Sequence, residues 1–562
     1  MSAAEPRTGG QILVDCLQIH GVDTAFCVPG ESYLAVLDAL YDVRDTLRLI
    51  VARQDGGAAY MAEAYGKASG RPGICFVTRG PGATNASIAV HTAQQDSTPM
   101  ILFVGQVGGD FVEREAFQEI DYRRMYGPMT KWVASIDRAD RIPEFVSRAF
   151  HLATSGRPGP VVLALPEDML TTTATVVQTR AYHTVQAAPL AVDIERLRSM
   201  IAAAERPILL LGGSVWSAAA CADIRAFAEG CGLPVATALR HQDLFDNHHP
   251  QYVGDAGIGP NPKLAARIRA ADLVIAAGTR LDEMTTQAYT LLEAPVPRQK
   301  LVHVHAAAEE LGRVYQADLL IHAGVGAFAA AVSGLRVDGS ARAAWLAQAR
   351  SEYEAWQQPQ PIPGPVQMQD IVCQLREHVP ADTLICTGAG NFSGFVQRYW
   401  RFSNWRSQVA PFNGSMGYGT PAGIGAQCAY PKRLVISFNG DGDYLMNGQE
   451  IATAVQYDLP IIYIVVNNGM YGTIRMHQER EYPNRAHGTA LRNPDFAALA
   501  RAYGAEGYLV ERTEQFMPAF EAARASGRTA LIECRIDPQA ITTATTMDAI
   551  RTRALAAQAR AQ

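Results

Sequence analysis

Two short polar motifs in the last third of the chain carry residue types that hold a metal ion against a phosphate. Gly440-Asp441-Gly442 follows the β-branched run 435–438, and Asn467-Asn468 follows the apolar run 461–466. We predict a buried strand in each run, with a helix near residues 448–456 between them. In open parallel sheets, ligands bind at the carboxyl ends of strands, where these motifs would lie. Carboxylate, carboxamide and backbone oxygens are ligands that suit Mg²⁺.

Glycine and asparagine also occur in ordinary turns, so two plain strand-to-loop turns are the alternative for either motif taken alone. The pair is more informative than either motif, because both follow strands of one strand-helix-strand unit. The two glycines around Asp441 lack a Cβ atom, so a ligand can approach the backbone closely there. We therefore predict a magnesium-phosphate site at these two strand ends.

The elements that must position these motifs alternate between strand and helix along the whole chain. Short apolar runs such as 24–28, 74–78 and 100–104 predict strands, and residues 10–20 predict an amphipathic helix. This alternation predicts an α/β fold with doubly wound, mainly parallel sheets. Two segments without apolar periodicity, 171–190 and 337–368, predict linkers.

The two linkers divide the chain into three predicted domains, which are residues 1–180, 190–340 and 365–562. A chain of 562 residues is long enough for three or four domains. The formal charge of −6 and sequence pI of about 6.1 predict neither a nucleic acid nor a membrane surface as a partner. Nine scattered cysteines, and a start without a secretory signal, predict a cytoplasmic protein with free thiols.

Several further loops are candidates for ligand contacts, each with a plain structural alternative. Asp55 lies where a strand should pass into a helix, and there it is either a functional carboxylate or a first-turn acidic residue favoured by the helix dipole. The segment 80–85, Gly-Pro-Gly-Ala-Thr-Asn, is either an anion nest or a tight turn. In the predicted central domain, the loop 278–282 is a phosphate site or an ordinary loop.

The two central motifs are separated by the 24 residues 443–466, and this arrangement resembles the signature of thiamine diphosphate enzymes. The resemblance extends over nearly the whole chain. The order of its motifs is similar to that of the acetolactate synthase branch of that family, with VPGES, GPGATN, DSTP, GQV, AFQE, GRPGP, GTRLD, MGYG, GDG and NN.

The resemblance implies three domains, which are a pyrimidine-binding, a central and a diphosphate-binding domain. It implies that thiamine diphosphate and Mg²⁺ lie between the first domain of one subunit and the third domain of its partner, so that the protein is a homodimer or homotetramer. The implied activity is a decarboxylase or carboligase that acts on a small-molecule 2-oxo acid.

The resemblance also assigns site residues by position. It implies that Asp441, Asn468 and the backbone of Met470 bind the metal. It places near the cofactor the residues Asp55, Gly390, Asn391, Gly414, Met416, Gly440, Asp441, Gly442, Asp443, Asn468 and Met470. Asp55, Gln118 and His477 match positions that take part in catalysis. In the family, a carboxylate at the Asp55 position is hydrogen-bonded to the pyrimidine ring and promotes formation of the reactive cofactor.

Three positions depart from the family pattern. Asp55 stands where glutamate is usual, and its side chain is shorter by roughly 1.5 Å. His477 stands where tryptophan shapes the acceptor pocket, and it is either a substrate contact or a surface residue. The loop 254–259, Gly-Asp-Ala-Gly-Ile-Gly, replaces a GMHG-like loop that helps to hold a non-redox FAD, so FAD, ADP and no ligand all stay open for the central domain.

Other functions stay open as well. A simple 2-oxo acid decarboxylase and a 2-hydroxyacyl-CoA lyase would use the same cofactor. Asp55 also leaves open a protein that binds thiamine diphosphate with weak or lost catalysis. A nicotinamide dehydrogenase that uses the central domain is disfavoured, because Gly212-Gly213-Ser214 lacks the full GxGxxG pattern.

Overall fold

A computed structural model describes residues 5–561 of the chain, which form three six-stranded sheets flanked by helices. Within each of these sheets every neighbouring pair of strands is parallel. Strands of such sheets are buried on both faces and read as continuous apolar runs, as Gly73–Val77 does. The predicted fold class, three doubly wound α/β domains, is confirmed.

The first sheet has the strand order β3-β2-β4-β5-β7-β6, and a short antiparallel pair, β1 with β8, lies outside it. The elements of this region are β1 Arg7–Thr8, α1 Gly9–Ile19, β2 Thr24–Cys27, α2 Leu34–Asp42, β3 Arg48–Val51, α3 Asp55–Ser69, β4 Gly73–Val77, α4 Gly80–Asp96, β5 Met100–Gln106, α5 Tyr122–Tyr126, β6 Trp132–Ser135, α6 Ile142–Thr154, β7 Pro160–Pro166, α7 Glu167–Thr171 and β8 Thr173–Ala174.

The second sheet has the order β11-β10-β9-β12-β13-β14. Its elements are α8 Ala191–Ala203, β9 Pro207–Leu211, α9 Ala218–Cys231, β10 Val235–Thr237, β11 Tyr252–Asp255, α10 Pro262–Ala270, β12 Leu273–Ala277, β13 Lys300–His305, β14 Leu319–His322, α11 Val325–Val332 and α12 Ala343–Trp356.

The third sheet has the order β16-β15-β17-β18-β20-β19. Its region contains α13 Met368–His378, β15 Leu384–Thr387, α14 Ser393–Tyr399, β16 Gln408–Val409, α15 Gly419–Ala429, β17 Val435–Gly440, α16 Asp441–Asn447, α17 Ile451–Gln456, β18 Ile462–Asn467, α18 Gly472–Glu481, α19 Phe496–Ala502, β19 Glu506–Val510, α20 Phe516–Ser526, β20 Ala530–Arg535 and α21 Met547–Ala561.

By contact density the chain divides into two compact units. The first unit contains the residues up to Val185, together with Pro411–Lys432 and Leu445–Ile461, and the second contains Gln186–Ala410, Arg433–Tyr444 and the residues from Ile462 onward. Residues of the third-sheet region therefore contribute to both units. The domain boundaries drawn from the sequence stay a prediction. None of the helices in residues 5–561 has the length and apolar character needed to span a membrane.

Two local predictions were wrong, and a third was right but incomplete. The predicted linker 337–368 contains the helix α12, because its alanine-rich first half favours a helix and only the proline cluster that follows is irregular. The segment 80–85 is neither a nest nor a turn but the start of α4, with Pro81 in the first turn. The helix expected near residues 448–456 is confirmed as a 3-10 turn at Gly448–Glu450 followed by α17, and a separate helix, α16, precedes it from Asp441, where Asp441 and Asp443 favour a helix start.

Asp243 and Asp255, both within the second unit, carry carboxyl groups whose protonation affects stability. Asp243 Oδ2 accepts hydrogen bonds from the backbone N–H groups of Ser407 and Gln408, at 3.0 and 3.2 Å. Burial raises the pKa of each carboxyl to about 6. In the unfolded chain these groups titrate near their ordinary pKa of about 4. Between those two values the folded state alone holds the protons, so their contribution to stability is lost as pH rises through about 6.

We expect Asp243→Asn to raise the free energy of unfolding at about pH 8 by about 1–3 kcal/mol, because the variant no longer buries a charge there. The amide oxygen can accept both backbone hydrogen bonds in place of Oδ2. Near pH 4 the difference from the native protein should vanish. Thermal unfolding across this pH range measures the effect, with the exposed Asp382→Asn as control, and parallel pH profiles for native protein and Asp243→Asn would contradict it.

Candidate functional site

The two central motifs lie side by side in the second unit. Strands β17 and β18 are neighbours, with Gly440 paired in register with Val466, so Asp441 and Asn468 both lie just beyond the carboxyl ends of adjacent parallel strands. Asp441 is buried, and its Oδ2 accepts a hydrogen bond from the backbone N–H of Gly469 at 2.9 Å. The predicted proximity of the two motifs is therefore confirmed.

The two asparagines of the second motif have different surroundings. The amide of Asn467 donates to Oε1 of the buried Glu533 at 2.8 Å, and its own oxygen accepts from the N–H of Gly469 at 3.1 Å. Asn468 is half-buried, and its Oδ1 accepts from the backbone N–H of Met470 at 3.2 Å. Asn467 thus contacts the buried Glu533 and the N–H of Gly469, whereas Asn468 contacts the N–H of Met470.

A residue that the sequence reasoning missed completes this arrangement. Asn493 Nδ2 donates to Asp441 Oδ2 at 2.7 Å and to Asn467 Oδ1 at 2.9 Å. Burial raises the pKa of the Asp441 carboxyl, whereas the Asn493 donor acts in the opposite direction. Asn493 is 52 residues from Asp441, and no spacing signal in the sequence points to it.

The donor set around Asp441 fits Mg²⁺, which prefers carboxylate, carboxamide and carbonyl oxygens. Across residues 5–561, no group of three or more His, Cys, Asp or Glu side chains could hold a metal. A mixed set of one carboxylate, one carboxamide and one backbone carbonyl is the kind that Mg²⁺ accepts when phosphate and water complete its shell.

The loop 388–391, in the same unit, is shaped for close approach by a ligand. Ala389 N–H donates to Asp443 Oδ1 at 3.2 Å, and a Cβ at position 388 would overlap the same carboxylate. Gly390 has a φ of +155°, and a Cβ there would lie 2.9 Å from the ring of Phe392. Asp443 therefore holds the loop through this hydrogen bond, and positions 388 and 390 have room only for glycine.

Asn391 and Phe392 end this loop and contact the central motifs. Thr473 Oγ1, at the start of α18, accepts from the N–H of Asn391 at 3.0 Å and donates to Asn391 Oδ1 at 3.0 Å. The ring of Phe392 packs on Gly440, where a Cβ would lie 2.8 Å from it. Gly442 faces Tyr471 in the same way, since a Cβ at position 442 would lie 2.6 Å from that ring. Side-chain size is therefore restricted on both sides of Asp441.

Asp55 lies in the first unit, in the first turn of α3. Its Oδ2 accepts a hydrogen bond from Asn85 Nδ2 at 3.3 Å. Its Oδ1 is buried and has no hydrogen-bond partner within residues 5–561. An unpaired buried carboxylate oxygen costs free energy, so a ligand that donates a hydrogen bond would stabilise it. This oxygen fits the ring nitrogen of a pyrimidine that carries a proton.

The start of α3 is held by two further side chains. Gln54 caps the helix by accepting from the N–H of Gly57 at 2.9 Å. Glu450 is buried and accepts from the N–H of Arg53 at 3.1 Å and from Thr453 Oγ1 at 2.6 Å. Burial raises the pKa of Glu450. Glu450 was not predicted, since 397 residues separate it from Arg53 in the chain.

The loop 413–417 carries Gly414 and Met416 in the first unit. Gly414 and Gly417 have φ values of +69° and +78°, the left-handed conformation that favours glycine. Ser415 is hydrogen-bonded to the hydroxyl of Tyr60 on α3, and its N–H donates to Asn413 Oδ1 at 3.2 Å. Gly414 is exposed and Met416 is half-buried, so both remain accessible to a ligand.

A buried ionic cluster holds both ends of that loop. The Lys67 ammonium lies 3.2 Å from Glu63 and is also paired with Asp96. Asp96 accepts from the N–H of Phe412 at 2.9 Å, and Glu63 accepts from the hydroxyl of Tyr418 at 2.5 Å. The loop is thereby fixed relative to α3 and α4, the helices that carry Asp55 and Asn85.

The backbone of Gln118 contacts the first residue of α4, the helix that also contacts Asp55. The carbonyl oxygen of Gln118 accepts from the N–H of Gly80 at 2.9 Å, and Gly80 begins the helix whose next residues contact Asp55. Gln118 is half-buried with a φ of +65°, a strained conformation for a residue with a side chain. Its predicted role at the active site, including catalysis, stays a prediction.

His477 lies on the exposed face of α18. It is hydrogen-bonded to Arg480, and partial burial, with the positive charge of Arg480, lowers its pKa. The preceding residue, Met476, faces inward, with its sulfur 3.3 Å from Asn391 Nδ2. His477 has no contact with the Asp441 loop among the described residues, and its role as a substrate contact stays a prediction.

Gly82 gives a direct test of the Asp55 environment. A Cβ at this position would lie 3.0 Å from Asp55 Oδ1 and 3.1 Å from Thr78 Cγ2. We expect Gly82→Ala to displace the carboxylate by a few tenths of an ångström and to lower kcat by roughly three- to tenfold, less than the ~10²-fold that a misplacement of about 1 Å can cost. Alanine favours a helix, so unfolding should not become easier. Gly127→Ala, with open space around it, is the control, and an unchanged kcat in Gly82→Ala would contradict the expectation.

The chain matches known protein families over more than half of its length. Three family models match the chain, namely the thiamine pyrophosphate enzyme N-terminal TPP binding domain at residues 7–125, the central domain at 194–332 and the C-terminal TPP binding domain at 388–534. Thiamine pyrophosphate is another name for thiamine diphosphate. Together the three matches cover more than half of the chain.

Relatives from several bacteria align with nearly the whole chain. The acetolactate synthase large subunit of Parasynechococcus marenigrum is 33% identical over 95% of this chain and 89% of its own. The corresponding subunit of Corynebacterium glutamicum is 32% identical, over 93% and 86% of the two chains. The acetolactate synthase isozyme 2 large subunit of Escherichia coli is 30% identical, over 94% and 95%. The chain therefore belongs to the thiamine pyrophosphate enzyme family, as a thiamine diphosphate-dependent enzyme related to acetolactate synthase large subunits.

Proposed function

We propose that this enzyme uses Mg²⁺ and thiamine diphosphate to decarboxylate a 2-oxo acid and to join the product to a second carbonyl compound. The observation that carries the proposal is the cluster of oxygen donors formed by Asp441, Asn468 and Met470 at the ends of two adjacent parallel strands. The names of the relatives, acetolactate synthases, support a carboligase rather than a simple decarboxylase.

The residues of each unit have separate tasks in this proposal. In the second unit, Asp441, Asn468 and the carbonyl of Met470 would hold Mg²⁺, and Gly390 and Asn391 would contact the diphosphate. The restricted space at Gly440 and Gly442 keeps the Asp441 loop in one conformation. Asp443 would hold the loop 388–391 in place by accepting a hydrogen bond from the N–H of Ala389.

In the first unit, the proposed task of Asp55 is to hold a hydrogen bond at Oδ1 with the pyrimidine ring, which the unpartnered state of that oxygen supports. Gly414 would accept a hydrogen bond at its carbonyl, and Met416 would pack beneath the cofactor. When bound, thiamine diphosphate would supply a nucleophilic carbon that adds to the 2-oxo group and a thiazolium ring that accepts the electron pair released as carbon dioxide leaves. The protein would position the cofactor, and Asp55 Oδ1 would accept a hydrogen bond from its pyrimidine ring.

The substrate contacts that we propose are Gln118 and His477, one in each unit. The backbone carbonyl of Gln118 accepts a hydrogen bond from the N–H of Gly80, at the start of the helix that contacts Asp55. Partial burial and the positive charge of Arg480 lower the pKa of His477, and its imidazole ring can accept or donate a hydrogen bond to substrate. The choice of 2-oxo acid donor and acceptor depends on such single contacts.

We also propose a homodimer or homotetramer in the cytoplasm. Phe111, Val112 and Phe117 are exposed in one segment after β5, and exposed apolar side chains that cluster are typical of subunit interfaces. FAD in the central domain stays a prediction of the resemblance. In the loop 254–259, which departs from the family's FAD-binding pattern, Asp255 accepts a hydrogen bond from Gln397 Nε2 at 2.5 Å. A yellow purified protein would support FAD, and a colourless one would exclude it.

A panel of 2-oxo acids tests the proposed reaction. The purified protein is incubated with thiamine diphosphate, Mg²⁺ and each acid, and carbon dioxide and carbonyl products are measured together. We expect carbon dioxide with a condensed product, acetolactate in the case of pyruvate. An aldehyde alone would instead assign a simple decarboxylase, and turnover that requires an acyl-CoA substrate would assign a lyase. Binding of the cofactor without turnover of any acid would overturn the proposed reaction.

A further inference from the structure

Asn493 occupies the space between the two central motifs. The segment just before Asn493 runs beside residues 469–470. Leu491 N–H donates to the carbonyl of Gly469 at 2.8 Å, and an isolated bridge pairs Met470 with Ala490. This path places the Asn493 amide beside both Asp441 and Asn467. Its two hydrogen bonds there, at 2.7 and 2.9 Å, join the carboxylate of one motif to the first asparagine of the other.

The orientation of the Asn493 amide follows from its neighbours. Asn467 must direct its Nδ2 to the carboxylate of Glu533, so its Oδ1 faces Gly469 N–H and Asn493. Asp441 Oδ2 is also an acceptor. Two acceptors on one side require a donor, which only the NH₂ end of the Asn493 amide provides. The oxygen end therefore points away from both of them.

That oxygen is buried and has no hydrogen-bond partner in the part of the chain that the structure describes, residues 5–561. A buried carbonyl without a donor is unfavourable, and few remain so in native proteins. It belongs to the same amide that contacts Asp441, so it lies within a few ångströms of the Asp441 carboxylate, the proposed metal ligand. Mg²⁺ dehydrates reluctantly and keeps several of its waters, and each of those waters is a donor.

We infer that Asn493 is a positioning residue for the metal site, in which Nδ2 fixes the Asp441 carboxylate and Oδ1 accepts a hydrogen bond from a metal-bound water. The inference rests on the proposed function, because it takes Asp441 as a metal ligand. Residues that orient ligands in this way commonly change metal affinity by 10–100-fold when they are replaced. The same contacts give Asn467 a task distinct from that of Asn468, since Asn467 anchors Asn493 and Asn468 faces the metal.

Metal binding, measured apart from turnover, tests the inference. Mn²⁺ replaces Mg²⁺, and the free ion is followed by electron paramagnetic resonance at saturating thiamine diphosphate. We expect Asn493→Leu, which keeps the approximate volume without polar atoms, to raise the dissociation constant of Mn²⁺ by roughly 10–100-fold. The exposed Asn404→Leu, in the same unit, should bind Mn²⁺ as the native protein does. Thermal unfolding without metal reports whether each variant is folded.

The outcomes separate the inference from the proposed function. If native protein binds Mn²⁺ and folded Asn493→Leu binds it equally well, Asn493 has no positioning role. If native protein and Asn493→Leu both fail to bind Mn²⁺, the proposed metal site is overturned, and the inference falls with it. The smaller Asn493→Ser is measured in parallel, so that a folding defect in the leucine variant leaves the comparison intact. A weaker affinity in both folded variants supports the inference.

Discussion

Asp441→Asn should lower kcat/KM by ~10³-fold or more at limiting Mg²⁺, because losing a ligand of this kind removes several kcal/mol of metal-ion stabilisation. Asparagine has nearly the same shape, so the variant removes the negative charge while it leaves the loop packed. The N–H of Gly469 keeps an acceptor at the position of Oδ2, which it contacts at 2.9 Å in the native protein. The loss should therefore arise from metal binding rather than from unfolding.

The measurement is initial rate against Mg²⁺ concentration for native protein, Asp441→Asn and Asp382→Asn. Asp382 is exposed and remote from the loop, so its variant controls for loss of one surface charge. We expect the half-saturating Mg²⁺ concentration to rise strongly only for Asp441→Asn. A variant with native rate and native Mg²⁺ dependence would remove Asp441 from the site.

Asp55→Ala should lower kcat by ~10²–10⁴-fold, the range typical for loss of a positioned acid-base group, while thiamine diphosphate still binds. The physical reason is the unpartnered, buried Oδ1, which gives a donor on the pyrimidine ring its acceptor. Asn85 holds the other oxygen at 3.3 Å, so the native carboxylate is orientated before any ligand arrives. Cofactor affinity depends mainly on the metal and diphosphate contacts of the second unit and should change little.

Proton exchange at the reactive carbon of bound thiamine diphosphate, followed by nuclear magnetic resonance, measures the step that Asp55 assists. Exchange in Asp55→Ala at the native rate would exclude Asp55 from activation of the cofactor. Asp55→Glu is the informative partner variant, because it extends the side chain by roughly 1.5 Å. A sharp rise in exchange rate in that variant would show that the shorter native side chain limits the reaction.

The sequence predicted those parts of the molecule that depend on local pattern. Asp441 and Asn468 follow apolar runs, and the pairing of β17 with β18 confirmed their proximity, since parallel strands bring their carboxyl ends to one edge. The predicted position of Asp55 at the start of a helix is also confirmed, since α3 begins at Asp55. The helix α12 was missed because a neighbouring proline cluster dominated the composition of its segment.

Residues whose partners are distant in the chain could not be predicted in this way. Glu450 accepts a hydrogen bond from the N–H of Arg53, before Asp55, and Asn493 donates one to Asp441. Each contact joins segments that only the tertiary fold brings together. Asn493 precedes a proline and reads as an ordinary turn residue. Neither periodicity nor motif spacing contains the information that places its amide between two other side chains.

The departures from the family pattern have a partial structural explanation. Phe392, which is not one of these departures, fills the space beside Gly440 and makes glycine necessary there. His477, where tryptophan is usual, faces outward beside Arg480. Nothing in the structure explains why Asp55 replaces glutamate. The surroundings of Asp55 nevertheless restrict the carboxylate closely, because Gly82 leaves only the space of a hydrogen atom on one side.

Calorimetric titration of thiamine diphosphate into the native protein tests the central claim, that the Asp441 loop holds Mg²⁺ against the cofactor diphosphate. The titration is run once with Mg²⁺ and once with a chelator in its place. We predict a saturable heat of binding with Mg²⁺ that falls to near zero with the chelator. Equal binding under both conditions, or no binding heat with Mg²⁺ present, would contradict the account.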